Sequence, residues 1–471
     1  MIVLTVALVV AGMVVHRAME ASFTHDESYT YLYYPRLPVS DLVLHTEPFT
    51  NNHLLNSLLM KFSSLVFGVS EFTLRLPNVL ALLLYFFFLY MIFWPLSVAV
   101  SVTAFTMLAT NPYMMELFSL ARGYGLSWGF LLTGAYYLLK IYETWRIKYI
   151  ILFQLAFLLA TLSSFPVVTT YAASLGALIL LWAKDHRAGV EAADRRSLFS
   201  IIGLTALNCM LLAIPVIQVL NEKLDFGGKD GFVRSTGASI VNGLWFKGIP
   251  DRFLVPVFFV ITLVLFAGAI RYFRRERGNE RSWILFSLVA LGTFIIIMLQ
   301  NVILGIDLPI QRFALYMVPV SALPIAYAID SSSRSKWVGV CALVVLSARP
   351  VIHFFKDFGV EHSVEWQYDV STKDAMRAIR DHLERKPTDL PVRIGANWLF
   401  EPTMNFYREI WHLVSIEQID RTGISDRDAY RYLHQGEDDG TWHRMAEYEA
   451  SNTVLLGRDA NSTMIDPAAD R

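Results

Sequence analysis

The sequence predicts a mainly α protein, a polytopic bundle of membrane-spanning helices that ends in a small α/β domain on the outer side. Two observations carry this reading. Of the 471 residues, 55% are hydrophobic and only 17% are charged, whereas soluble domains carry about 25% charged residues. The apolar residues also gather into runs long enough to cross a bilayer, about eleven of them, and these runs stop near residue 351. A net charge of −1 provides no field toward nucleic acid, and no basic groove interleaved with aromatic residues is present, so a nucleic-acid partner is not expected. Cys209 and Cys341 both lie in apolar runs and read as small core residues, with no disulfide or Cys-metal framework implied.

Taken in order, residues 1–15 are apolar, with neither a basic leading region nor a small-x-small cleavage site. They read as an uncleaved first helix. The following stretch, 17–67, is amphipathic and aromatic, and 28–34 and 53–67 read as helices lying on the membrane surface. Further spans are expected at 77–94, 96–110, 124–142, 148–162, 166–183, 198–220, 253–270, 283–304, 313–329 and 337–351.

Charge sets the direction of the bundle. Four basic groups fall on alternate connections: Lys140/Arg146/Lys148, Lys184/Arg187/Arg195/Arg196, Arg271/Arg274/Arg275/Arg277/Arg281 and Arg334/Lys336. The positive-inside rule assigns those connections to the cytoplasm. The outer connections are then 17–76, 111–123, 163–165, 221–252 and 305–312, and the C-terminus is outside. Residues 1–351 thus form the transmembrane module, with 17–76 and 221–252 as its large outer loops, and 352–471 form an extracytoplasmic domain. Within that domain 372–385, 401–409 and 425–433 read as helices, and 391–396, 411–416 and 453–457 as strands. It contains no GxGxxG, P-loop or Cys/His cluster, and so no evident chemistry of its own.

The candidate chemistry gathers on the outer connections. Asp26 and Glu27 follow the first span directly, and an acidic pair so close to a bilayer needs water, a cation or a reacting group nearby. The bland reading is a helix N-terminal pair held by backbone N–H groups. The catalytic reading takes one carboxylate as a general base supported by the other, and sequence alone does not assign the proton within the pair. His53, in Asn51-Asn52-His53-Leu54-Leu55-Asn56, reads as an interfacial histidine or a ligand group. Arg122 and Tyr124, in Ala121-Arg122-Gly123-Tyr124, and Arg312, in Gln311-Arg312-Phe313, sit on the outer face against the charge trend, as arginines that pair with a bound anion would.

Four features in order resemble one family. They are the Asp-Glu pair after span one, an amphipathic helix ending in Phe67-Gly68-Val69-Ser70-Glu71 and then Arg75-Leu76-Pro77, the Ala121-Arg122-Gly123-Tyr124 stretch, and the late Arg312 with Tyr316 and Pro319. Together they are similar to the GT-C-fold glycosyltransferases that use polyprenyl-phosphate sugars, the superfamily of protein O-mannosyltransferases and aminoarabinose transferases (glycosyltransferase family 39-like). The resemblance implies transfer of a sugar from a polyprenyl-phosphate donor to a cell-envelope acceptor at the outer face of a bacterial-type inner membrane. It implies Asp26 as base, Glu27 as its acidic support, and Arg122 and Arg312 on the donor phosphate, with His53 and Tyr124 as further substrate contacts. A divalent metal ion is a possible cofactor of such a site. Where relatives carry a lysine and paired prolines, this chain has Asn51-Asn52-His53-Leu54-Leu55, so a family-style metal or phosphate contact is not expected there. The alternative, a flippase for lipid-linked glycans, expects charged or broken helices near mid-membrane and pseudo-symmetric halves. A third, a non-catalytic scaffold, leaves the Asp26-Glu27 pair without a purpose.

Overall fold

The computed structural model describes residues 1–44, 52–221, 227–246, 249–273, 280–332, 336–388 and 390–458. Asn51, Arg274, Arg275, Arg277 and Arg334 of the patterns above lie outside these residues, as does part of the 221–252 connection.

Each expected span is a helix. The chain runs through α1 (Ile2–Glu20), α2 (His25–Tyr33), α3 (Val39–Leu44), α4 (Leu54–Phe67), α5 (Glu71–Phe93) and α6 (Val98–Ala109). It continues through α7 (Pro112–Phe118), α8 (Gly123–Thr144), α9 (Ile147–Ser163), α10 (Val168–Arg187) and α11 (Arg195–Asn221). The remaining helices of the bundle are α12 (Ala238–Trp245), α13 (Asp251–Ile270), α14 (Glu280–Leu304), α15 (Met317–Ser331) and α16 (Lys336–Asp357). Local chemistry sets the boundaries. Gly68 ends α4 at a φ of +78°, and Ser70 caps α5 by accepting from the Thr73 N–H at 3.2 Å. Asn111 caps α7 through the Met114 N–H at 3.1 Å, with Pro112 at the first helical position, where its missing N–H costs nothing. The 111–123 connection, expected as a loop, is therefore largely a buried helix.

Among the described residues seven helices are long and apolar enough to cross a membrane, those of α1, α5, α10, α11, α13, α14 and α16. The shorter or less apolar α6, α8, α9 and α15 pack among them. α8 lies between α5 and α9, and its glycines make the close approach possible: a Cβ at Gly129 would stand 2.9 Å from the Ala81 carbonyl oxygen. One group of polar side chains inside the bundle pairs across three helices. On α11, Asn208 donates to Gln154 Oε1 of α9 and to the Tyr171 hydroxyl of α10, each at 3.1 Å.

α16 continues to Asp357, past the expected end of its span at 351, and the small domain follows. It contains α17 (Thr372–Arg385), α18 (Glu401–Ile410) and a four-stranded sheet. The strands are β1 (Arg393–Ala396), β2 (Asp428–His434), β3 (His443–Tyr448) and β4 (Thr453–Gly457), in the order β1-β2-β4-β3, with only β1 and β2 parallel. Two expectations are corrected here. The expected helix over 425–433 is mostly β2. Its Ser-x-x-Asp signature does form a local bond, Ser425 N–H to Asp428 Oδ2 at 2.7 Å, but Asp428 also pairs with Arg393 of β1 and the chain leaves as a strand. Pairing with β1 and β4 on both sides overrides the local signal. The expected strand over 411–416 is irregular, turning at His412 with a φ of +53° and touching the sheet only through one bridge between Val392 and Ile416.

The domain seats on the connection between α1 and α5. Phe23 stacks on Phe406 with ring centroids 4.2 Å apart, and its N–H donates to the Tyr407 hydroxyl at 2.7 Å. Lys373 of α17 pairs with Glu71 of α5 at 2.8 Å. Glu116 of α7 accepts from the Val364 N–H at 2.9 Å and faces Arg17 of α1 at 3.4 Å.

The α5–α8 contact gives a test. Gly129→Leu drives a side chain into a backbone carbonyl that cannot yield, with an expected loss of about 1–3 kcal/mol or more. Gly12→Leu, with nothing within 4 Å of its Cβ position, is expected to leave the melting temperature of the detergent-purified protein unchanged.

Candidate active site

The site forms where the C-terminal end of α1, the start of α2, the α7–α8 junction, the start of α15 and the segment after α16 meet. Asp26 and Glu27 do not open a loop: they occupy the first turn of α2, behind the N-cap Thr24. Thr24 Oγ1 accepts from the Glu27 N–H at 3.4 Å, and Glu27 Oε2 accepts from the Thr24 N–H at 3.0 Å, a capping box. Successive residues on a helix diverge by about 100°, and the two carboxylates accordingly have different surroundings.

Glu27 is fully buried and its carboxylate is fully engaged. Besides the Thr24 bond, it accepts from Arg75 Nε and Nη2, each at 2.8 Å, and from the Ala121 N–H at 2.5 Å. Arg75, also fully buried, spends its other donors on the Ala21 and Ser22 carbonyls at 2.9 and 2.8 Å and on that of Ala18 at 3.2 Å. Glu27, expected as the acidic support of Asp26, ties α2 to α5 and to the α7–α8 junction through these bonds.

Asp26 turns the other way, with 16% of its side chain exposed. Its Oδ2 lies 3.6 Å from Arg122 and 3.3 Å from Arg312. Arg122, the residue before α8, is buried and also donates to Thr30 Oγ1 at 2.9 Å. Arg312 precedes α15, and its guanidinium lies over the Trp366 ring, 5.0 Å from the centroid. The structure thus brings Asp26, Arg122 and Arg312 together from three distant parts of the chain.

Sequence reasoning missed three contributors. Glu365 pairs with Arg312 and comes from the segment after α16, where no motif marks it. Burial, then the nearby Asp26 carboxylate, pushes the Glu365 carboxyl up to about 8. Asn56 of α4 and Asn78 of α5 hold the arginine junction in place. Asn78 Nδ2 donates to Asn56 Oδ1 at 2.8 Å, its Oδ1 accepts from the Leu126 N–H at 3.1 Å, and Asn56 Nδ2 donates to the Ala121 carbonyl at 2.9 Å. A single asparagine within each of two largely apolar helices, Asn56 in α4 and Asn78 in α5, was the available signal.

His53 precedes α4, with Nδ1 2.7 Å from the Ser163 carbonyl oxygen. Its ring stands edge-on to Tyr124, centroids 4.9 Å apart, and Tyr124 is buried between His53 and Phe313. Burial, with the Arg122 charge second, holds the imidazole well below its usual pKa. Among the described residues no three His, Cys, Asp or Glu side chains converge as a metal site. The Asp26 carboxylate faces two guanidinium groups, an arrangement that repels a divalent cation, so the donor set does not fit the divalent metal entertained from the sequence and no step is routed through one.

The fold is that of a multi-pass helical membrane protein carrying a small α/β domain. Among solved structures, it is similar to ArnT from Cupriavidus metallidurans bound to undecaprenyl phosphate, at 11% identity over 98% of this chain and 99% of that one, with a TM-score of 0.38. It is also similar to the archaeal oligosaccharyltransferase AglB from Archaeoglobus fulgidus in complex with an inhibitory peptide and a dolichol-phosphate, at 12% identity over 97% of this chain and 74% of that one, with a TM-score of 0.41. No protein-family model and no curated protein matches the sequence.

Two outcomes test this geometry. Glu27→Gln leaves Arg75 charged and buried without its counter-ion, and a loss of about 3–5 kcal/mol in stability is expected by denaturant or thermal unfolding in detergent. Glu365 has a folded pKa raised from 4.5 to about 8, so its neutral form stabilises the fold below the lower value and that contribution is lost as pH rises through about 8. Melting temperatures taken from pH 6 to 9 are expected to fall more steeply in the wild type than in Glu365→Gln.

Proposed function

We propose that the protein is a membrane glycosyltransferase that moves a sugar from a polyprenyl-phosphate donor to a hydroxyl of a cell-envelope acceptor, on the outer face of a bacterial-type inner membrane. The observation that carries this reading is the convergence of Arg122 and Arg312 on one carboxylate oxygen, at 3.6 and 3.3 Å. Two guanidinium groups that reach one Asp26 oxygen also reach one phosphate, and a carboxylate stands beside them to take a proton.

Asp26 accepts the proton of the acceptor hydroxyl as that oxygen bonds to the anomeric carbon. The bond from that carbon to the phosphate oxygen breaks, and the charge left on the phosphate is met by Arg122 and Arg312. With Glu365 neutral, two cations face one carboxylate, and the cluster has a positive charge to spare for the phosphate. Glu27 acts through position, holding the first turn of α2 so that Asp26 faces the arginines.

An apolar groove of about 1100 Å³ between α6, α12, α13, α15 and α16 supports a lipid-borne substrate. Its lining includes Met107, Leu244, Val257, Ile325 and Leu343, side chains suited to an isoprenoid tail. The flippase alternative is less well supported, because the spans are almost free of charged residues between their ends and the polar groups between α9, α10 and α11 are satisfied by one another. The small domain, seated on α2, belongs on the same outer face and covers the site from water.

The test is turnover of the purified full-length protein with polyprenyl-phosphate sugars and envelope extract as acceptor. Asp26→Asn is expected to lose about 10²–10⁴-fold in rate while the purified protein stays folded. Arg122→Ala or Arg312→Ala is expected to weaken use of the donor by about 1.5–3 kcal/mol, and Arg122→Lys to restore only part of it. Normal kinetics in all three would return these residues to structural roles.

A further inference from the structure

Beside the arginine cluster lies a second cavity of about 270 Å³. Phe313, the neighbour of Arg312, forms part of its wall, together with Tyr316, Thr169, Asn52 and His53. Most of the lining is apolar, so a few polar atoms decide what the cavity accepts.

His53 is the informative one. The Ser163 carbonyl can only accept, so the short contact at 2.7 Å fixes the proton on His53 Nδ1. Nε2 is then a bare lone pair. It is buried and has no hydrogen-bond partner among the described residues, in a side chain only 8% exposed. Burial opposes a second proton on the ring, and the Arg122 charge, then that of Arg312, act in the same direction. A buried acceptor of this kind needs a donor. A phosphodiester, ionised at neutral pH, has no proton to offer, and neither does an isoprenoid chain. A sugar hydroxyl has one. The backbone is built to keep the ring in this place: a Cβ at Gly123 would stand 2.0 Å from the Ser163 carbonyl oxygen and 2.8 Å from the His53 Cβ, so only glycine at position 123 lets His53 and Ser163 meet.

We infer that this cavity is the subsite for the sugar of the donor, and that His53 Nε2 accepts a hydrogen bond from one of its hydroxyl groups. Tyr124 stands edge-on to the same ring and to Phe313, and the Arg122 guanidinium lies over it, 6.0 Å from the ring centroid, so the cavity wall and the arginines share this side chain as a neighbour. This assignment rests on the proposed use of a polyprenyl-phosphate sugar and adds where its sugar is read and by which atom. His53 is a specificity-determining residue in this account, since it selects for a hydroxyl at one ring position and takes no part in the proton transfer.

The experiment is calorimetric binding to the full-length protein in detergent, with farnesyl phosphate as one probe and a panel of farnesyl phosphates bearing hexoses or pentoses as the other. In the wild type at least one sugar-bearing probe is expected to bind more tightly than bare farnesyl phosphate. His53→Phe is expected to reduce that sugar-dependent advantage by about 3–10-fold while leaving bare farnesyl phosphate unchanged, the size of one lost hydrogen bond. His53→Gln, which keeps an acceptor oxygen, is expected to recover part of it. An equal loss for both probes would place the phosphate or the isoprenoid in the cavity and overturn the assignment, as would an advantage that His53→Phe leaves intact. Binding of bare farnesyl phosphate with no gain from any sugar overturns the subsite alone. Failure of every probe to bind the wild type overturns the donor reading, and the subsite with it.

Discussion

The buried ion pair between Glu27 and Arg75 is the constraint on which the rest of the site depends. Neither group touches solvent, and between them they take up four backbone groups of the α1–α2 junction and one N–H of the α7–α8 junction. Desolvating two charges is costly, and attraction alone does not repay it unless the remaining donors and acceptors are also satisfied. Here they are. The pair therefore has one arrangement, and that arrangement fixes the direction of the first turn of α2. The orientation of Asp26 follows from its neighbour, as does the position of Ala121 one residue before Arg122. The Asn56–Asn78 bond adds a second fixed point on the same junction.

The small domain completes the site rather than adding a separate one. Its connection to α16 carries Glu365 and Trp366, which hold the Arg312 guanidinium from two sides. Its body packs on α2 and on the start of α5 through Phe406, Tyr407 and Lys373. Glu116 of α7, facing Arg17 and the backbone after α16, locks the connection itself. A domain without catalytic motifs of its own thus sets the charge balance around Asp26. The raised pKa of Glu365 is the physical expression of that arrangement, a carboxyl placed where burial and a like charge both disfavour ionisation.

Much of this was legible in the residues. Apolar runs located every span, because a bilayer tolerates no other backbone solution than a helix in such a chain. Basic residues on alternate connections separated the two ends, and the end without those basic groups is where Asp26, Arg122 and Arg312 converge. The division of labour within Asp26-Glu27 was not legible, since it depends on which carboxylate meets Arg75, 48 positions away. Glu365 was hidden for a similar reason: a lone acidic residue in a polar stretch carries no sign until the fold buries it against Arg312. In the small domain, Ser425-x-x-Asp428 did make its local bond, yet strand pairing on both sides decided the outcome. Local signals failed where long-range pairing supplied more hydrogen bonds than the local alternative.

The central claim is that Arg122 and Arg312 hold one phosphate next to Asp26. The most direct measurement is an experimental structure of the full-length protein in lipid nanodiscs with farnesyl phosphate. The account predicts the phosphate within hydrogen-bond reach of both guanidinium groups, with the Asp26 carboxylate beside it and Glu27 still closed on Arg75. A phosphate bound away from both arginines, with their contacts to Asp26 undisturbed, would contradict it.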